Sequence, residues 1–153
     1  MRLSILTTML SLLCLQPAVA ADKTNKDPVQ RHQGVWKPIA ASLNGGRLPK
    51  EASDKITLRI DGNKYEATVE GEDHDDRGTF TVDTSVKPHK KVIKSESGLN
   101  KGKTIYAIFE HKNENGMRVA YDLSGKGYPT TWCTKMGSPY YAVGCRRRKE
   151  AFK

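Results

Sequence analysis

From Gly34 onward the chain is a succession of short runs cut by turn residues at regular intervals. That rhythm constrains the fold more than any other feature, because it predicts an all-β sandwich or barrel. The first run, Gly34 to Ser42, stops at Asn44-Gly45-Gly46. Pro49 to Ser53 has room for one helical turn. In the run 55–60, Ile56, Leu58 and Ile60 share a face against Thr57 and Arg59. Asp61-Gly62 is a hairpin signal. The answering run, 64–70, sets Tyr65, Ala67 and Val69 against Glu66, Thr68 and Glu70. Further runs span 78–82, with Phe80 and Val82 inward, then 91–95 and 104–110, neither of which alternates cleanly. Met117, Val119, Tyr121 and Leu123 alternate in the seventh run, and Tyr141, Val143 and Cys145 in the last, 140–147. Eight strands joined mostly by short turns favour antiparallel neighbours. An up-and-down order of eight can close on itself, which removes exposed edges. The expected fold is therefore an all-β, eight-stranded antiparallel up-and-down barrel. A barrel of that size is either filled by side chains or holds one small ligand.

The first 20 residues read as a leader. Met1-Arg2 is a short positive start, an apolar stretch runs from Leu3 to Leu15, and Ala18-Val19-Ala20 offers a small-x-small cleavage pattern. The stretch is shorter than the roughly 20 apolar residues of a comfortable membrane span. An uncleaved anchor is the alternative. Cleavage after Ala20 predicts a secreted or periplasmic protein with no stable membrane insertion. Removing 20 residues and the charge of Arg2 from 153 residues at +9 leaves 133 at +8. That is one domain, which excludes a multi-domain enzyme. Residues 21–33 are polar and read as a flexible lead-in, 34–149 as the barrel domain, and 150–153 as a tail.

Cys133 and Cys145 remain after cleavage, 12 positions apart across a turn at Gly137-Ser138-Pro139. In an oxidising compartment the pair is a disulfide candidate, and such a loop would contribute roughly 3 kcal/mol. The alternative is two thiols that never meet.

Gln33-Gly34-Val35-Trp36-Lys37 matches the G-x-W opening of lipocalins. Further pieces follow in order: Leu43-Asn44-Gly45-Gly46, Asp61-Gly62-Asn63-Lys64-Tyr65, Gly78-Thr79-Phe80, Lys87-Pro88, Gly102-Lys103-Thr104, Tyr128-Pro129-Thr130 with Trp132, and Arg147-Arg148. Over residues 32–149 the chain resembles a secreted lipocalin-like family of unknown function, found largely in planctomycete bacteria. The resemblance implies a calycin-type barrel and no reaction. It also implies that an Arg near the end of the last strand packs on the first-strand Trp. Gly34, Trp36 and Arg147 are assigned that structural part, with Arg146 and Arg148 as alternatives to Arg147.

The remaining constellations are weaker. Glu70, Glu72, Asp73, His74, Asp75 and Asp76 crowd one tip, but the calcium-loop pattern fails at Arg77 and Thr84. No metal site is expected. Ser97 to Thr104 lacks the first P-loop glycine and leads into a strand. Lys87, Lys90, Lys91 and Lys94, with Arg146 to Lys149, form a basic side suited to an anionic envelope polymer; no nucleic-acid module accompanies it. Glu66, Glu70 and Glu110 are available for hydrolysis without a readable separation. His32, His74, His89 and His111 fall in turns or the lead-in. The chain is read as a non-enzyme without a cofactor. The expected function is extracytoplasmic binding of a small hydrophobic or amphipathic ligand, with Trp36, Tyr65, Phe80, Tyr121 and Tyr141 lining the barrel. The alternative is a ligand-free module that binds envelope polymer or a protein through its basic surface.

Overall fold

The computed structural model describes residues 27–73 and 75–149; the leader, the first part of the lead-in, His74 and the tail lie outside the described residues. The strands are β1 (Gly34–Leu43), β2 (Gly46–Arg47), β3 (Ile56–Asp61), β4 (Lys64–Val69), β5 (Asp76–Asp83), β6 (His89–Ser95), β7 (Thr104–Asn113), β8 (Gly116–Asp122) and β9 (Tyr140–Arg147). A six-residue helix, α1 (Lys50–Lys55), carries the chain from β2 to β3. Each long strand pairs antiparallel with the next, and β9 returns to pair with β1. The eight long strands thus close an up-and-down barrel, and the two-residue β2 is only an extension of the first hairpin.

Turn chemistry explains the connections. Asn44 and Gly45 both have positive φ, at 50° and 78°, which matches the twist of the hairpin joining β1 and β2. Gly78 is needed for a different reason. A Cβ there would lie 2.0 Å from the carbonyl oxygen of Lys94 on the neighbouring strand. Pro38 cannot donate to a ladder, and it sits where the β1–β9 register shifts, between Pro38 and Ala40. Several strands run beyond the runs read from alternation. β5 starts at Asp76, β6 at His89, and β7 continues to Asn113.

The lead-in is not uniformly loose. Residues Gln30–His32 form a 3₁₀ turn that closes one end of the barrel. His32 is fully buried there, with its ring 4.7 Å from that of Phe109 and 4.8 Å from that of His111. The indole of Trp36 donates to the His32 carbonyl at 2.7 Å. Arg147 crosses the same end. Its guanidinium lies 4.7 Å from the Trp36 ring centre and its Nη2 donates to the Arg31 carbonyl at 2.6 Å. Trp36 and Arg147 are also register partners between β1 and β9. The expected Trp–Arg closure is therefore present, and Arg147 makes it. Gly34, at φ 109°, lies alongside: a Cβ there would touch the Arg147 side chain at 3.5 Å.

Above this floor the core holds Phe80, Ile60, Ile93, Ile105, Phe109, Met117, Val119 and Val143, inward on successive strands. A fully buried side chain of this kind contributes about 1.5–3 kcal/mol.

Candidate functional site

The barrel is not filled. A cavity of about 180 Å³ runs from the core toward the end opposite the Trp36–Arg147 floor. Engineered cavities of roughly 150 Å³ hold a benzene-sized guest. Aliphatic walls come from Ile56, Leu58 and Ile60 on β3, Ile93 on β6 and Ile105 on β7. Of the five aromatic residues expected to line it, Tyr65, Phe80, Tyr121 and Tyr141 do so. Trp36 does not. It lies in the floor, spent on Arg147 and on the His32 carbonyl.

Two features give the cavity polarity. At the mouth, Asp76 accepts hydrogen bonds from Tyr65 Oη at 2.9 Å, Ser95 Oγ at 2.6 Å and Asn100 Nδ2 at 2.7 Å. Burial, helped by the bond to Asp76 and opposed by that with Ser95, pushes the Tyr65 phenol well above its usual range. At the deep end stands Lys91, 3% exposed. Its ammonium lies 4.8 Å from the Phe80 ring centre and 5.5 Å from that of Phe109. Among the described residues no carboxylate pairs with it. Burial pulls its pKa down to about 7, against an opposing effect from Cys145. Cys145 faces the same space from β9, and burial pushes its thiol up to about 12. Burial likewise pushes the Tyr141 phenol up to about 12.

Lys91 was grouped with Lys87, Lys90 and Lys94 as part of a basic surface. The pleat corrects this. In β6 the side chains of Lys91, Ile93 and Ser95 are buried while Lys94 is exposed. A lysine on the inner face also explains why this strand failed to alternate by polarity. Ile93 carried the available signal, since period-two spacing sets Lys91 on the same face.

The disulfide candidate is also corrected. Cys133 and Cys145 are both free. Cys145 points into the barrel, whereas Cys133 is exposed in the loop before β9 and lies beside Trp132 on the outer wall. Sequence distance across the turn was short, but the two thiols are on opposite sides of a sheet.

The histidines are not confined to loops. His111 is on β7 and His89 opens β6, and both pack toward Phe109. His32 Nδ1 donates to the Pro28 carbonyl at 2.8 Å, which leaves its buried Nε2 without a partner among the described residues. Both ring nitrogens of His111 are in the same position. Burial, with added repulsion from Lys91, pulls the pKa of His32 down to about 2. Burial and then Arg31 pull that of His111 to about 4. The carboxylates considered for hydrolysis do not converge. Glu66 pairs with Arg77 at 2.6 Å and Glu110 with Arg118 at 2.6 Å, on different parts of the outer wall. In the acidic tip, Asp75 pairs with Arg77 at 2.8 Å.

Comparison of the chain with protein-family models, with curated proteins and with solved structures finds no match.

Proposed function

We propose that this protein is an extracytoplasmic, non-catalytic, lipocalin-like carrier that holds one small amphipathic molecule inside its barrel. The observation that carries this reading is the cavity itself. A barrel of eight strands has the option of filling its interior with side chains. Here about 180 Å³ is left open, bounded by aliphatic and aromatic groups with a few polar atoms. Binding sites for small molecules have that composition. A leader ending at Ala18-Val19-Ala20 supports export. The likeness to secreted lipocalin-like proteins, drawn from Gly34-x-Trp36 and the Trp36–Arg147 closure, supports a carrier rather than an enzyme.

Mass spectrometry of the secreted protein tests the reading, first under native and then under denaturing conditions. A native mass that exceeds the denatured one by a discrete amount is expected, with the difference equal to the carried molecule. If the two masses agree under conditions that preserve a control complex, and no apolar probe binds either, the carrier reading fails.

The alternative, a module that binds anionic polymer through its outer surface, draws on Lys87, Lys94, Arg146 and Arg148, all exposed. It loses one of its residues to the barrel interior, since Lys91 is buried.

A further inference from the structure

Lys91 is the one buried group in the cavity whose charge nothing in the barrel balances among the described residues. Such a charge is costly to hold without a counter-charge. Across the barrel the group that acts on it is a thiol, Cys145 on β9, and the phenol of Tyr121 on β8 lines the same cavity. Beneath it lie His32, His111 and Arg147, and His89 packs on the far side of Phe109. None of these is an anion in its ordinary state at neutral pH. The carboxylate that does line the cavity, Asp76, stands at the mouth and is already held by Tyr65, Ser95 and Asn100. The deep end is therefore basic and the mouth acidic, with an apolar tube between.

We infer that the cavity is a site for a small monocarboxylic acid, seated with its carboxylate on the Lys91 ammonium and its hydrocarbon body between Phe80, Leu58 and Ile105. This rests on the carrier reading and adds the chemical class and orientation of the ligand. The polarity of the tube sets that orientation. A carboxylate left at the mouth would meet Asp76, whereas at the deep end it supplies the counter-charge that Lys91 lacks. The space is roughly that of a benzene-sized guest, and chain atoms beyond it extend toward the mouth. Bound carboxylate also stabilises the protonated form of Lys91, so ligand and proton bind together.

The test compares octanoate with 1-octanol by calorimetric titration, from pH 6 to pH 9, on the wild-type protein and on Lys91→Met. Octanoate is expected to bind the wild type at least tenfold more tightly than octanol at pH 6.5. Its affinity should fall as pH rises above 7, while that of octanol stays level. In Lys91→Met the preference should vanish and octanol binding persist. If octanol binds as tightly as octanoate, or the preference survives in Lys91→Met, the anion seat is wrong and the carrier reading stands. If neither probe binds the wild type, both fall. Should Lys91→Met not fold, as judged by circular dichroism, the wild-type pH profile decides alone: equal profiles for the two probes overturn the inference.

Discussion

The Arg147 guanidinium rests 4.7 Å from the centre of the Trp36 ring while its Nη2 donates to the Arg31 carbonyl. One side chain thus ties the first strand, the last strand and the 3₁₀ turn before the barrel. Replacing Arg147 with Ala removes the ring contact and a charged hydrogen bond, together worth roughly 2–3 kcal/mol. Urea unfolding should show that loss, and proteolysis should cut faster near residue 31. Unchanged stability would mean that the floor closes without Arg147.

Lys91 makes stability depend on alkaline pH in an unusual direction. Above pH 7 the folded protein holds Lys91 largely neutral, whereas the unfolded chain keeps its lysine protonated up to the ordinary value of 10.5. The unfolded state binds more protons, so stability rises with pH. The window is pH 7 to 9, before the unfolded-state Cys145 thiol begins to ionise at its ordinary 9.0 and opposes the trend. Chemical denaturation across that window should show a rise of up to ~1.4 kcal/mol per pH unit. Lys91→Met should abolish the slope and be more stable than wild type at pH 7 by ~1–3 kcal/mol. A flat wild-type profile would mean that the ammonium is solvated.

Below neutrality the two histidines of the floor act in the same sense. His32 and His111 are depressed in the fold to about 2 and about 4, from 6.5. As pH falls below 6.5 the unfolded chain takes up protons that the folded state refuses, and stability drops by up to ~1.4 kcal/mol per pH unit for each ring. For His111 the drop ends near pH 4, and for His32 it continues further. His32→Leu should leave a shallower acid slope than wild type between pH 6 and 4.5. Equal slopes for the two proteins would remove His32 as a cause.

The thiols should behave unequally. Cys133 is exposed and Cys145 faces the cavity. Of these two thiols, Cys133 should react quickly with a disulfide reagent, and Cys145 only on unfolding. An apolar guest in the cavity should slow the second thiol further. An intact mass two daltons below that of the reduced chain would show the pair bonded, and would overturn the placement of Cys145 inside the barrel.

Much of the fold was legible because period-two alternation is written directly into β3, β4, β8 and β9, and turn residues separate them. The Trp36–Arg147 closure was legible through the family resemblance, and the register confirms that the two are partners. Four of the five candidate lining aromatics reach the cavity for the same reason: on a strand, sharing a face with known inward residues decides direction. The failures have one cause. Polarity is a poor guide to direction wherever a polar residue faces inward. Lys91 looked like surface because lysine usually is, and β6 then appeared irregular. His32 reads as lead-in and His111 as turn, although each is packed on Phe109. The cysteines looked like a pair because they are close in sequence, a measure that does not register which side of a sheet each one faces.

Closure of the barrel has a consequence in time. The strand that seals the wall, β9, is the last made, and its partner β1 is the first. Contacts between such distant segments are slow to form. Cys145, Val143 and Tyr141, three walls of the cavity, belong to that final strand. Until it docks on β1, Lys91 stands in an open sheet rather than at the bottom of a tube. The cavity is therefore absent from every chain that stops short of β9, and its wall is complete only once that strand has docked.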